Sequence, residues 1–158
     1  MAAQTSFDTQ IVGAFPVITE YFRKLGFAAV IDKDVPWEGE IPLGTLAEIL
    51  VLNRMLQPKA MMRVGEWAQQ TGIAAYYGLT AEQLNDDLLG RALERFHKYQ
   101  AEVELGLVLA SIRKFGLDVR DVHYDISDVE LYGSYERPLS RAGQPSSGPL
   151  PAYGRTKS

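Results

Sequence analysis

The chain has 158 residues, 46% hydrophobic and 23% charged, a composition typical of one soluble globular domain rather than a disordered or fibrous protein. It contains no cysteine, which excludes disulfides, thiolate metal sites and thiol catalysis, and its two histidines are too few for a histidine-based metal site unless carboxylates complete it. The net charge of −4 argues against a large nucleic-acid footprint. The charge is uneven, however, because residues 1–43 hold 3 basic and 6 acidic groups and residues 44–120 hold 9 of each, so a basic face could exist in the middle of the chain.

The composition also bears on the compartment. No apolar run approaches the roughly 20 residues that a bilayer-spanning helix needs. The amino end lacks the basic-then-apolar layout of a signal peptide. Together with the absence of cysteine, these features predict a cytoplasmic protein without a membrane partner.

Helical periodicity predicts a mainly α fold, with a flexible amino end over residues 1–14 and a helical domain of five or six helices over residues 15–118. The first helix begins with Pro16 at its first helical position and stops at Gly26. The segment over residues 44–57 is apolar on nearly all sides, which predicts a buried helix opened by Gly44 or Thr45 and closed by Pro58.

The period then changes from helical to alternating. Val122, Tyr124 and Ile126 share one face of the segment "DVHYDISDVELYGSYE", which predicts a short β-hairpin over residues 119–137. Residues 138–158 are rich in Gly, Pro, Ser and Arg without apolar periodicity, which predicts a loop or a disordered tail.

Asp125 is the carboxylate in the middle of this predicted strand. Carboxylates held rigidly on a strand suit Mg²⁺-dependent phosphodiester chemistry, because a hard cation prefers oxygen ligands. One carboxylate is not a site, however, and local spacing makes no neighbouring acid its partner. From the pattern alone, both a metal ligand and a solvent-facing strand acid remain open.

A basic stripe is the second candidate site. Arg91, Arg95 and Lys98 recur at helical spacing, and with Lys59 and Arg63 they could follow a DNA backbone, because phosphate contacts need only positioned positive charge. The alternative is a solvated helix face. His97 is interpreted as a surface residue.

Trp37 and Trp67 are interpreted as connector or core anchors rather than base-stacking platforms. No phosphate loop, dinucleotide fingerprint, nucleophile elbow or zinc spacing is present in the chain.

Three segments in order, "LNRMLQPKAMMRVGEWAQQTGI", "LNDDLLGRALERFHKYQ" and "HYDISDVELYGSYE", resemble the amino-terminal part of bacterial insertion-sequence DDE transposases, in the group whose helical amino end is a domain of unknown function. The resemblance implies that the hairpin begins an RNase-H-like sheet, incomplete here, and that Asp125 is the first of three metal-binding acids. It implies Mg²⁺ in a complete family member and no cofactor in this chain alone. Where the family usually has threonines after this aspartate, Ile126 and Ser127 stand here.

Two functions follow as hypotheses. In the first, the chain is an amino-terminal fragment of a DDE transposase that binds transposon-end DNA or another transposase chain and does not cut DNA alone. In the second, it is a stand-alone helical module for protein interaction or dimerisation that does not bind DNA. The net charge of −4 favours the second hypothesis.

Overall fold

The structure, a computed structural model, describes residues 12–120. Within this range the chain forms seven α-helices and two short 3₁₀ turns. The helices are α1 (Phe15–Leu25), α2 (Phe27–Asp34), α3 (Leu43–Leu56), α4 (Val64–Gln70), α5 (Ile73–Tyr76), α6 (Asp86–Lys98) and α7 (Gln100–Phe115). The 3₁₀ turns are Met61–Arg63 and Glu82–Leu84.

The mainly α prediction is confirmed for this part of the chain, and the predicted count of five or six helices is wrong by at least one. The additional helix is α5, a single turn that follows Gly72 in the left-handed conformation. One turn is too short to show a helical period in the sequence. The hairpin predicted for residues 119–137 and the tail predicted for residues 138–158 lie essentially outside the described residues, as does most of the predicted flexible amino end over residues 1–14.

Helix α3 is the centre of the helical domain and packs against α1, α2, α4 and α6. It is largely buried, as its apolar pattern predicts, apart from its last turn, where Arg54 and Met55 are exposed. Its buried side chains are Leu43, Leu46, Ala47, Ile49, Leu52 and Asn53. Helix α7 packs on α1, α2 and α6. No described helix is long and apolar enough to cross a bilayer.

The start of α3 depends on α2. The residue before the helix is Pro42, whose side chain has no oxygen to cap the helix. Asp32 of α2 supplies that oxygen instead, because its Oδ1 accepts a 2.7 Å hydrogen bond from the N–H of Gly44. The predicted start at Gly44 or Thr45 is therefore wrong, and α3 begins at Leu43.

Gly44 also sets how closely these two helices approach. A Cβ at this position would lie 2.5 Å from both the Cα and the carbonyl oxygen of Ala28. Backbone atoms cannot yield as a flexible side chain would, so a larger residue must push α2 away from α3. Gly106 of α7 makes a related approach to α2, where a Cβ would lie 2.9 Å from Cγ1 of Val30.

Helix α3 also carries a half-buried carboxylate, Glu48. Glu48 Oε2 accepts a 2.8 Å hydrogen bond from the hydroxyl of Tyr77. Burial raises the pKa of Glu48 above its ordinary value, and the hydrogen bonds from Tyr77 and from the Ala28 backbone oppose this increase without cancelling it. Burial and the neighbouring Glu48 raise the pKa of Tyr77.

We expect Gly44→Ala to destabilise the fold by about 1–3 kcal/mol, because the new Cβ overlaps the backbone of α2. Gly90→Ala is the matched control. A Cβ there meets no atom within 4 Å inside helix α6, so the same substitution should stabilise by about 0.5–1 kcal/mol. Urea unfolding of both variants measures the difference, and equal shifts would contradict the close approach of α2 and α3.

We expect Glu48→Gln to stabilise the protein at pH 7–8 and to lose this advantage on acidification to about pH 4. The folded protein holds the Glu48 proton more tightly than the unfolded chain. The stability from this group is therefore fully present below the unfolded pKa and is lost as pH rises through the folded pKa. Thermal unfolding across this range tests the prediction, with exposed Glu40→Gln as the control. A Glu48→Gln advantage that does not change with pH would contradict it.

Candidate functional site

Helix α6 carries the basic stripe. The side-chain oxygen of Asn85 caps its start by accepting a 2.9 Å hydrogen bond from the N–H of Leu88. Two acids, Asp86 and Asp87, occupy the first turn, and basic residues occupy the last, which suits both ends of the helix dipole. These local signals place the helix, and its buried Leu89 and Ala92 orient it.

The structure brings Arg91, Arg95 and Lys98 together on the outward face of α6. At 3.6 residues per turn, the three positions fall within about 60° around the helix axis. Arg91 and Lys98 are exposed and Arg95 is half-buried. The predicted stripe is thus a basic surface that extends over the eight residues 91–98 on one face of α6.

This face forms one wall of a groove with a volume of about 600 Å³. The opposite wall is the connector between α2 and α3, contributed by Trp37, Glu38 and Gly39. Leu88 and Glu94 of α6 also line the groove. Three cations and two carboxylates therefore border one space, so its charge is mixed with a positive excess.

Trp37 anchors the connector wall. Its indole N–H donates a 2.8 Å hydrogen bond to the carbonyl of Ile41, and Gly39 passes so closely that a Cβ there would lie 2.5 Å from Nε1 of the indole. The tryptophan therefore stabilises the turn of the connector, and part of its side chain lines the groove. Trp67 is 2% exposed and belongs to the core.

The ion pairs distinguish the α6 cations from other basic residues. Glu20 pairs with Arg23 at 2.7 Å and with Lys24 at 3.7 Å. Among residues 12–120, no carboxylate forms an ion pair with Arg91, Arg95 or Lys98. The Arg91 guanidinium makes a long 3.4 Å hydrogen bond to the Asp87 carbonyl, and Lys98 lies 5.7 Å from the ring centre of Tyr99. Most of their positive charge thus stays available to an anionic partner.

Lys59 and Arg63 do not join this surface. Lys59 lines a separate groove of about 300 Å³, bordered on α6 by Leu93, which lies about 160° around the helix from Arg91. Arg63 is on the 3₁₀ turn that packs against α6, but it forms an exposed 3.3 Å ion pair with Glu66. The five predicted basic residues therefore divide into a stripe of three, one lysine in another groove and one paired arginine.

Buried Asn53 fixes the position of Lys59. Its amide nitrogen donates a 3.1 Å hydrogen bond to the carbonyl of Gln57, and its Oδ1 accepts a 3.2 Å hydrogen bond from the N–H of Lys59. The groove beside Lys59 is mostly apolar and includes Arg54, which the sequence reasoning missed. Arg54 was not predicted as a groove residue because it lies on α3, which the sequence identifies as a buried helix. No other basic residue recurs on α3 at helical spacing to mark a charged face.

The sequence reasoning also missed Trp37 and Leu88 as walls of the larger groove. No local signal could have indicated them, because the groove forms only when the connector folds against α6. His97 is exposed, as interpreted from the sequence. Asp125 lies outside the described residues, and within residues 12–120 no cluster of three acidic or histidine side chains could hold a metal ion.

The comparisons with known proteins give one match. A model of the family described as "Domain of unknown function (DUF4277)" matches residues 7–111, which include all seven described helices except the last turn of α7. No curated protein and no solved structure matches the chain. Since the matched region covers most of the sequence, this chain belongs to the DUF4277 family.

Proposed function

We propose that this chain is the helical, amino-terminal part of a DDE-type transposase and that it binds transposon-end DNA, or a second transposase chain on that DNA, through the outward face of α6. The observation that carries the proposal is the set of three neighbouring cations, Arg91, Arg95 and Lys98, with which no described carboxylate forms an ion pair. Phosphate contacts need positive charge held in position, and a capped helix packed on the core holds it.

The resemblance to transposases adds independent support. Two of its three segments, residues 52–73 and 84–100, lie within the described residues. In the fold these segments contact each other, because the 3₁₀ turn Met61–Arg63 packs on α6. The parts of the chain that look most like a transposase therefore build the helix that carries the basic face.

Binding rather than cutting is the activity proposed for these 158 residues. By resemblance Asp125 is the first ligand of a two-metal site, and such a site needs further carboxylates to hold two ions about 3.5–4 Å apart. Mg²⁺-dependent nicking of plasmid DNA by the purified 158-residue chain, abolished by Asp125→Ala, would contradict this part of the proposal.

The test is a salt titration of duplex-DNA binding by the purified chain. We expect affinity to fall steeply with salt, and we expect the triple variant Arg91→Ala, Arg95→Ala, Lys98→Ala to reduce the slope of log K against log salt by about three, since each phosphate contact contributes about 0.9. The matched control is Arg23→Ala, Lys24→Ala, Lys33→Ala. It removes the same charge from residues that sit beside acids on α1 and α2.

Two outcomes would contradict DNA binding through α6. One is equal loss of affinity in the two triple variants, which would reflect net charge rather than a surface. The other is no binding even at low salt. That second outcome would favour a helical interaction module that does not bind DNA, a function for which the exposed apolar side chains of α7 provide the supporting observation.

A further inference from the structure

Helix α7 has two apolar faces, and only one of them is packed. Val103 is buried, Leu107 is half-buried, and Gly106 lies against Val30 of α2. On the other side of the helix, Leu105 is 60% exposed and Val108 is 54% exposed. A helix on the surface of a monomer normally presents charged and polar residues on that side.

The outward apolar residues follow a regular spacing. Five residues, four exposed and one, Ile112, half-buried, are separated by four, three, four and three residues: Ala101, Leu105, Val108, Ile112 and Phe115. This is the heptad spacing of a helix that packs along its length against another helix. We call these five residues the α7 seam.

The α7 seam continues onto α1. The ring of Phe115 lies 6.3 Å from the ring of Tyr21, which is 58% exposed. Val17, one turn earlier on α1, is also exposed, and Leu109 flanks the seam on α7. The exposed apolar area is therefore continuous over two helices, as expected of an interaction surface.

We propose that the α7 seam is a self-association surface, on which the α7 helix of a second copy of this chain packs in antiparallel orientation. The proposal does not depend on whether α6 binds DNA. An antiparallel pair of identical helices is related by a two-fold axis, so one self-complementary patch serves both copies.

The charges along α7 favour this occupant and this orientation. Glu102 and Glu104 lie near the start of the helix, and Arg113 and Lys114 lie in its last turn. Within the described residues none of the four forms an ion pair. Antiparallel packing places the acidic end of each helix beside the basic end of the other, whereas parallel packing places like charges together.

Heptad geometry then specifies the pairs across the axis. Leu105 of one copy packs beside Val108 of the second copy, and Ala101 packs beside Ile112. Glu102 comes within about two residues, or about 3 Å, of axial alignment with Arg113 of the second copy, and both side chains lie about 100–120° around their helix from the seam. Their charges therefore attract across solvent rather than as a direct ion pair. In this register the two 16-residue helices overlap over about 14 residues, a contact about 21 Å long. It is small beside a standard interface of about 1,600 Å², so we expect a weak, concentration-dependent dimer.

The first experiment is sedimentation equilibrium of the full chain over a wide concentration range. We expect a monomer–dimer equilibrium whose dissociation constant rises at least about tenfold in Leu105→Glu and Val108→Glu, because a charge enters the centre of the contact. Met62→Glu is the control, since Met62 is 74% exposed on the 3₁₀ turn after α3 and lies outside the seam. Circular dichroism confirms that each variant is folded.

The second experiment tests the orientation by disulfide cross-linking. Because the chain has no cysteine of its own, only the introduced cysteines can form a disulfide. In an antiparallel pair, position 101 of one copy faces position 112 of the other, while the two copies of position 101 lie about 16 Å apart along the axis. Mixed Ala101→Cys and Ile112→Cys chains should therefore form a disulfide-linked heterodimer, and neither variant should link to itself.

Charge reversal gives an independent check of the same arrangement. Glu102→Arg and Arg113→Glu should each weaken the dimer, and the double variant should restore it. A chain that stays monomeric at all concentrations would overturn the proposal and would leave a different protein as the occupant of the seam. Self-linking of Ala101→Cys would also overturn it, because only a parallel pair brings the two copies of position 101 together.

Discussion

The close contact between α2 and α3 is the constraint on which the rest of the helical domain depends. Gly44 allows the two backbones to meet at Ala28, and Asp32 caps the start of α3 across the same contact. The cap depends on the close approach, because Asp32 reaches the Gly44 N–H only if the two helices are this close. The contact therefore joins a packing requirement to a hydrogen-bond requirement in a few residues.

The groove beside α6 follows from that contact. The contact fixes the positions of α2 and α3, and therefore of both ends of the connector between them. Within the connector, the indole N–H of Trp37 donates a hydrogen bond to the carbonyl of Ile41 and closes the turn. The connector forms the wall opposite Arg91, Arg95 and Lys98. A shift of α2 would consequently change the shape of the groove without altering any of the basic residues in it.

Two neighbouring helices, α6 and α7, each present an outward face that lacks a complementary partner among the described residues. The outward face of α6 holds cations that lack described ion-pair partners, and the outward face of α7 holds apolar residues without a described cover. The first requires an anion, and the second requires an apolar surface. The two faces share no residues, so the proposed DNA contact on α6 and the proposed self-association on α7 would not compete with each other.

The sequence by itself determined the helical class, the buried character of α3 and the basic stripe of α6, because each depends on a 3.6-residue period within one segment. The sequence analysis grouped Lys59 and Arg63 with that stripe, but the structure separates them from it. A residue's charge does not indicate which side of a neighbouring helix its own segment packs against. The 4-3-4-3 spacing of α7 is visible in the sequence, but only the tertiary structure decided that this apolar face is the exposed one. Burial depends on how the helices pack against one another. That packing is set by the close approaches at Gly44 and Gly106 and by the cap from Asp32.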